Sequence, residues 1–355
     1  MAKVLFILKR REDYNGIIHS QIGLSTGLYN SASFVNDMLK AYKIESNLAV
    51  VIDNNDIDRE VSKYKPTHVV IEALWVTPSK FAVLEKLHPN VKWIIRLHSE
   101  LPFMAGEGIA MDWLGDYSEF KNIVIACNAP RMLREIKKYL QIKNNWSCQE
   151  AQDKIIYLPN HYPGFYRYPR MMDYNKETID VGCFGAIRLL KNHLVQAFAA
   201  IDLANRLGKK LRFHINAGRV EMKGEPVLHN LQGLFQQLYN KDHQLINHDW
   251  TPRANFINLC GQMDIGMQCN FSETFNIVGA DFVSEGIPLI GSKEIPWLSS
   301  GLLDANNCAD PTNSEDIMIK MYKAYKNPSR NVLACQKGLK KYCEKTESIW
   351  TKYFI

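Results

Sequence analysis

Short runs of apolar, often β-branched residues recur along the chain, separated by stretches whose apolar positions follow a helical spacing. The runs at 3–8, 48–52, 68–71, 92–97, 122–126 and 154–158 predict one series of strands. After a break, a second series is predicted at 179–184, 211–215, 245–248, 264–268 and 288–290. Amphipathic stretches such as 33–42, 130–139 and 192–207 lie between them. Strands that are apolar throughout are buried on both faces, and their alternation with helices marks parallel sheets covered on both sides. Two such series predict an α/β chain of two doubly wound, Rossmann-like domains. The break at 161–176 holds two prolines and a glycine without helical period, so it reads as an interdomain linker. Its four tyrosines, Phe165 and two arginines also suit a strip on which bases or sugars stack.

The length of 355 residues fits two domains of roughly 150 each. With 46% apolar and 23% charged residues, disorder, collagen and coiled coil are excluded. No uncharged apolar run reaches the roughly 18 residues of a membrane span, so no membrane insertion is expected. The apolar stretch at the start is too short for a signal peptide and reads as a first buried strand. Lysines and arginines outnumber acids 43 to 37, a net +6, which is compatible with a polyanionic partner. The dense basic blocks of a dedicated nucleic-acid binder are missing. Eight cysteines without any C-x-x-C pair are expected to be reduced thiols of a cytoplasmic protein.

In doubly wound sheets ligands bind beyond the carboxyl ends of the strands. Those positions hold the 23–31 loop, Asp53, Glu72 and His98 in the first domain. In the second they hold Arg188, Lys191, the 216–219 segment, Trp250 and the 272–281 segment. A strand is expected to end near Asn270, with a helix starting around 275–276 and stopping at Gly286. The open first turn of that helix suits a phosphate. Glu273 and Asp281 would repel one, so they make sense as acceptors for hydroxyls on either side of the phosphates. That pattern describes a nucleotide sugar.

Glu273, seven residues, Asp281 and then Gly286-Ile287-Pro288 resemble the donor-site motif of retaining GT-B glycosyltransferases, especially glycosyltransferase family 4. That motif has a second Glu where this chain has Asp281, and usually a glycine where it has Asn276. The loop from Gly185 through Arg188 to Lys191 is similar to the family's diphosphate loop, with Arg188 three residues later than usual. His98, in Arg96-Leu97-His98, resembles the family's cleft histidine. The loop from Gly23 through Gly27 to Asn30 lies where the family has its glycine-rich turn, without the double glycine, and Leu158-Pro159-Asn160 ends the first domain as in the family. Ile-Glu-Ala-Leu-Trp at 71–75 and Arg-Leu-His-Ser-Glu at 96–100 further resemble glycosyltransferases encoded by tailed phages, which often modify hydroxymethylated pyrimidines of the phage genome.

The resemblance implies a GT-B fold, two Rossmann-like domains facing across a cleft. The implied division is an acceptor domain 1–163, a linker 164–177, a donor domain 178–335 and a C-terminal helix 336–355 packing back on the first domain. Arg188 and Lys191 would hold the diphosphate of a UDP-sugar, Glu273 would orient the sugar, and His98 would contact it. Asp281, Asn276, Ile277, Asn216, Gly218 and Trp250 would complete the donor site. Gly27, Arg10 and Arg11 are the acceptor-side candidates. No cofactor or metal is expected, and Asp56-Ile57-Asp58 reads as a charged helix start rather than a metal motif. The favoured acceptor is double-stranded DNA with a hydroxymethylated pyrimidine. A surface polysaccharide or protein acceptor, a nucleotide-sugar epimerase and a GT-B-like binding protein are the alternatives.

Overall fold

The computed structural model describes residues 2–10, 27–299 and 307–355. It divides into two units. The described part of the first comprises residues 2–10 and 27–163 together with Cys343–Ile355, and that of the second lies within Gly164–Tyr342.

The first unit is built on strands β1 (Lys3–Lys9), β2 (Glu45–Val51), β3 (His68–Glu72), β4 (Lys92–Leu97), β5 (Ile123–Cys127) and β6 (Ile155–Tyr157). They form one parallel sheet in the order β2-β1-β3-β4-β5-β6. Odd-numbered Leu5, Ile7, Val69, Ile71, Trp93 and Ile95 enter one core, while even-numbered Val4, Phe6, Val70 and Ile94 enter another. Burial on both faces is the physical reason these strands carry no apolar–polar alternation. The second core is closed by Trp350 and Phe354 of the C-terminal helix, and Trp350 Nε1 donates to Pro159 O at 2.8 Å. That helix is continuous from Pro328 to Phe354, and the division between units falls within it at Tyr342/Cys343.

The second unit carries β7 (Thr178–Gly182), β8 (Lys210–Ile215), β9 (Gln244–Asn247), β10 (Ile265–Gln268), β11 (Leu289–Ser292) and β12 (Cys308–Ala309). Their order is β12-β11-β10-β7-β8-β9, again parallel. Read from β9, this is the 3-2-1-4-5-6 order of a dinucleotide-binding sheet, whose direction of winding reverses between β7 and β10. Two-residue β12 is too short to leave a pattern in the sequence.

Residues 164–177, expected to be a linker, are packed on the second unit. Arg167 N–H donates to Ser284 O at 2.7 Å, Arg170 N–H to Gly286 O at 2.9 Å, and Arg170 Nη1 to Gly261 O at 2.8 Å. Gly286 is required here: its φ is +76°, and a Cβ would stand 2.2 Å from Tyr168 O. All eight cysteines are unpaired. Among the described residues no helix is long and apolar enough to cross a membrane.

Candidate active site

In the second unit, the chain leaving β7 and the chain leaving β10 emerge side by side at the reversal point of the sheet, where such folds place their ligands. The first of them turns at Gly185 (φ +124°), whose N–H donates to Asn216 Oδ1 at 3.2 Å. A short helical turn, Leu189–Lys191, follows and ends at Asn192 in the left-handed region. Asn192 Nδ2 donates to Cys269 O at 2.9 Å, and Gln196 binds both Lys191 O at 2.8 Å and Cys269 N–H at 2.8 Å. These two buried amides hold Lys191 over the end of β10.

There Lys191 Nζ forms an ion pair with Glu273 Oε1, and Asn270 Nδ2 donates to the same oxygen at 2.7 Å. Burial pushes the Lys191 pKa down, and neighbouring Arg188 adds to this against the pull of Glu273. Arg188 itself faces Glu221 at 3.7 Å.

The helix after this loop runs Ile277–Ser284. Asn276 caps it in the left-handed region (φ 68°), which Asn tolerates better than most residues and Gly better still. That explains the Asn at a position where glycine is usual. Its Oδ1 accepts from Gly279 N–H at 2.6 Å, and its Nδ2 donates to Gln268 Oε1 at 2.8 Å. With Gly279 served by this cap and Ala280 bonded to Asn276 O, the first-turn N–H groups of Ile277 and Val278 are the ones available to an anion.

Asp281 has a partner that was not anticipated. It is 1% exposed and takes a bidentate contact from Arg253, Nη2 to Oδ1 at 2.6 Å and Nη1 to Oδ2 at 3.3 Å. Arg253 escapes a sequence reading because it stands alone at a helix start with no motif around it. Gly218 packs its Cα against the backbone of Trp250: a Cβ would lie 3.1 Å from Trp250 N. The Arg219 guanidinium covers the Trp250 ring at 4.9 Å. Asn216, Gly218 and Trp250 therefore shape one edge of the loop beyond β8 and β9.

In the first unit, Glu72, His98 and Asn128 stand at or just beyond the carboxyl ends of β3, β4 and β5. Glu72 and Arg96 are both fully buried and paired, Nη1 to Oε1 at 3.0 Å. Arg96 also donates to Leu158 O at 3.1 Å, Pro159 O at 3.2 Å and Asn160 Oδ1. His98 Nε2 bonds the other Glu72 oxygen, and its Nδ1 lies 3.3 Å from Asn128 Nδ2. Burial would raise the Glu72 pKa, but Arg96 and His98 hold it below the usual range. An ionised Glu72 accepts the His98 Nε2 proton and fixes the ring. Burial lowers the His98 pKa against the pull of Glu72.

Gly27 begins the helix Gly27–Ala41 with open space around it, and Arg10 follows β1 with its N–H on Val51 O at 2.7 Å. Arg11 and Gly23 lie outside the described residues. Among the described residues, no three His, Cys, Asp or Glu side chains are grouped to hold a metal ion. Asp56 instead starts the helix Asp56–Tyr64, accepting from Ile52 N–H at 3.0 Å and Arg59 at 2.7 Å.

Two parallel six-stranded Rossmann-like units with this strand order define the GT-B fold class. The chain is similar in structure to sucrose-phosphate synthase from Thermosynechococcus elongatus, with 11% identity, 100% of this chain and 98% of that one covered, and a TM-score of 0.69. It is also similar to a UDP-forming α,α-trehalose-phosphate synthase from Burkholderia xenovorans, with 13% identity, 85% and 77% covered, and a TM-score of 0.62. A third likeness is to Anabaena HepE in complex with UDP, with 12% identity, 98% and 96% covered, and a TM-score of 0.58. No protein-family model and no curated protein matches the chain.

Proposed function

We propose that the protein is a retaining glycosyltransferase that takes its sugar from a UDP-sugar held on the second unit. One observation carries this reading: Lys191, Glu273 and the open first turn of the helix Ile277–Ser284 converge at the β7/β10 reversal. The fold shared with proteins whose structures are described as UDP-forming or UDP-bound supports it.

Without ligand, Lys191 and Glu273 neutralise each other. A donor diphosphate offers Lys191 a stronger partner and takes the N–H groups of Ile277 and Val278, with Arg188 as a second cation. Glu273 is then released to accept hydrogen bonds from the sugar. In the transfer step the bond between the anomeric carbon and the diphosphate oxygen breaks. The acceptor oxygen bonds to that carbon from the same face, and its proton passes to the departing phosphate. No protein base is required. Asp281, with Arg253 beside it, addresses the ribose. In the first unit His98, its ring set by Glu72, is the candidate for binding a sugar hydroxyl.

For the acceptor, DNA bearing a hydroxymethylated pyrimidine is the favoured reading, supported by the net +6 and by the basic run Lys9-Arg10-Arg11, which begins on the last residue of β1. The test is mass spectrometry of candidate acceptors, hydroxymethylcytosine DNA among them, after incubation with a panel of nucleotide sugars. The mass of one hexose or pentose gained by the DNA is the expected result. Mass gained by a polysaccharide or protein alone overturns the DNA reading. Conversion of donor into an isomer without any acceptor points to an epimerase.

A further inference from the structure

Three side chains on one face of the second sheet form a continuous hydrogen-bonded line that the transfer chemistry does not use. Asp180 on β7 is 3% exposed, and His214 on β8 is 7% exposed. His214 Nε2 lies 2.9 Å from Asp180 Oδ1, and its Nδ1 lies 2.8 Å from Nε2 of His248, the residue directly after β9. The two imidazoles are nearly coplanar, at 12°, as an in-plane hydrogen bond between ring nitrogens requires. His248 is held in this register by its own N–H, which donates to Ile215 O at 2.9 Å.

The protons along this line are ordered from one end. Burial would raise the Asp180 pKa, but hydrogen bonds from His214, Arg212 and Lys176 hold it far below the carboxylate range. Asp180 is therefore an obligate acceptor, and His214 Nε2 carries a proton. Lys176 and Arg212 already pair the Asp180 carboxylate, so His214 meets it with a single N–H and brings no third cation, while burial, with His214 alongside, pushes the His248 pKa down. His214 Nδ1 is then a bare lone pair, and His248 Nε2 must donate to it. His248 is left with an unprotonated Nδ1, which accepts no hydrogen bond from any described residue. Asp180, in the sheet interior, thus dictates that a half-buried imidazole at the rim offers an acceptor and not a donor.

That rim is the donor side of the sheet. His248 packs edge-on to Phe184 at 5.9 Å. The next residue, Gly185, opens the loop to Lys191, whose Cε is 3.9 Å from where a Gly185 Cβ would stand. Trp250 follows His248 by two residues. We infer that His248 Nδ1 reads the base of the donor by accepting a ring N–H, selecting uracil, whose N3 carries a hydrogen, over cytosine, whose N3 is a lone pair. The Asp180–His214 pair acts as a positioning element that sets the His248 tautomer. This inference rests on the nucleotide-sugar reading above and adds to it the chemistry that chooses the nucleotide.

The experiment is calorimetric titration of the full chain with UDP, CDP, GDP and ADP. UDP is expected to bind roughly ten- to a hundredfold more tightly than CDP, the range set by two lone pairs facing each other in place of a hydrogen bond. His248→Phe keeps the packing on Phe184 and removes the acceptor, so the UDP/CDP ratio should fall to about one. His214→Leu frees His248 to adopt either tautomer and should also lower the ratio, which a purely structural role would not move. Should His214→Leu fail to fold, the His248→Phe ratio decides alone. Equal binding of UDP and CDP by the parent, or an unchanged ratio in His248→Phe, overturns the inference and leaves the donor site standing. Binding of GDP or ADP with neither pyrimidine nucleotide overturns the uracil assignment alone. Binding of none of the four overturns the nucleotide-sugar reading as well.

Discussion

Lys191 and Glu273 carry opposite charges in one partly buried spot, with side-chain exposures of 13% and 10%. Each therefore depends on the other in the free protein, and a nucleotide-sugar donor bound as proposed would have to separate them. Removing only the cation leaves the acid with Asn270 as its one hydrogen-bond partner among the described residues. Lys191→Ala should lower turnover roughly 10²–10³-fold, as the loss of one preorganised charge-stabilising donor does. It should also cost about 1–3 kcal/mol of stability through the unpaired carboxylate. In the double variant with Glu273→Gln most of that stability should return while turnover does not. Urea unfolding and single-turnover rates on the same samples test this, and near-normal turnover in folded Lys191→Ala would sink the assignment. The charged residues here were legible in the sequence because acids and cations at strand ends stand out. The amides that aim them, Asn192, Gln196, Gln268 and Asn270, were not, since a buried amide is recognised by its partners and these come from distant strands and loops. Asp281 shows the converse: its position could be read, but its pairing with Arg253 depends on how a separate helix start is placed.

At the scale of elements, the loop–helix junction around Asn276 combines an unfavourable backbone with a favourable cap. Asn276→Gly keeps the left-handed turn and should cost only a few tenths of a kcal/mol for the lost cap. Asn276→Ala loses the cap and puts an alanine at φ 68°, costing about 2–3 kcal/mol from the two effects together. If the two variants unfold at the same urea concentration, the backbone argument fails. Because a lysine, an arginine and a helix terminus supply the positive charge in this arrangement, transfer should persist in excess EDTA. Complete loss, restored by Mg²⁺ or Mn²⁺, would assign that charge to a metal. Strand positions were legible to within a few residues since double-sided burial leaves long apolar runs. The Lys-rich tail from Pro328 onward likewise reads as helical in the sequence, and the helix runs unbroken from Pro328 to Phe354.

For the whole molecule, the alternation of apolar runs and helical stretches was enough to read two parallel-sheet units, because nearly every strand is covered on both sides. The strand orders could not be read this way, as which strand neighbours which is set by crossovers that leave no local pattern. The acceptor reading belongs to this scale too. Binding to duplex DNA should weaken steeply with salt through counterion release, and changing Arg10 and Arg11 to Ala should reduce the slope by about 1 to 2. Salt-insensitive binding, alongside transfer to an oligosaccharide, would exclude DNA.

Acid stability is a further property of both units at once. Burial pushes His68 in the first down to about 4, with Lys92 adding to it. In the second, burial pushes His193 down to about 3, with Lys191 and Arg188 adding to it. An unfolded histidine titrates near 6.5. Between that value and the folded one, the unfolded chain binds the proton and the folded chain does not. Stability therefore rises with pH through this window. The contribution is fully present above pH 6.5 and is lost progressively as pH falls toward 4 for His68 and toward 3 for His193. Lys191 and Arg188 repel a proton on His193, so a bound diphosphate should ease its protonation and flatten the acid limb for the second unit. Calorimetric unfolding from pH 7.5 to 4, with and without UDP, tests both parts. Transitions that do not shift between pH 6.5 and 4.5 would contradict the burial of neutral histidines. An acid limb that UDP leaves unaltered would separate His193 from the diphosphate site.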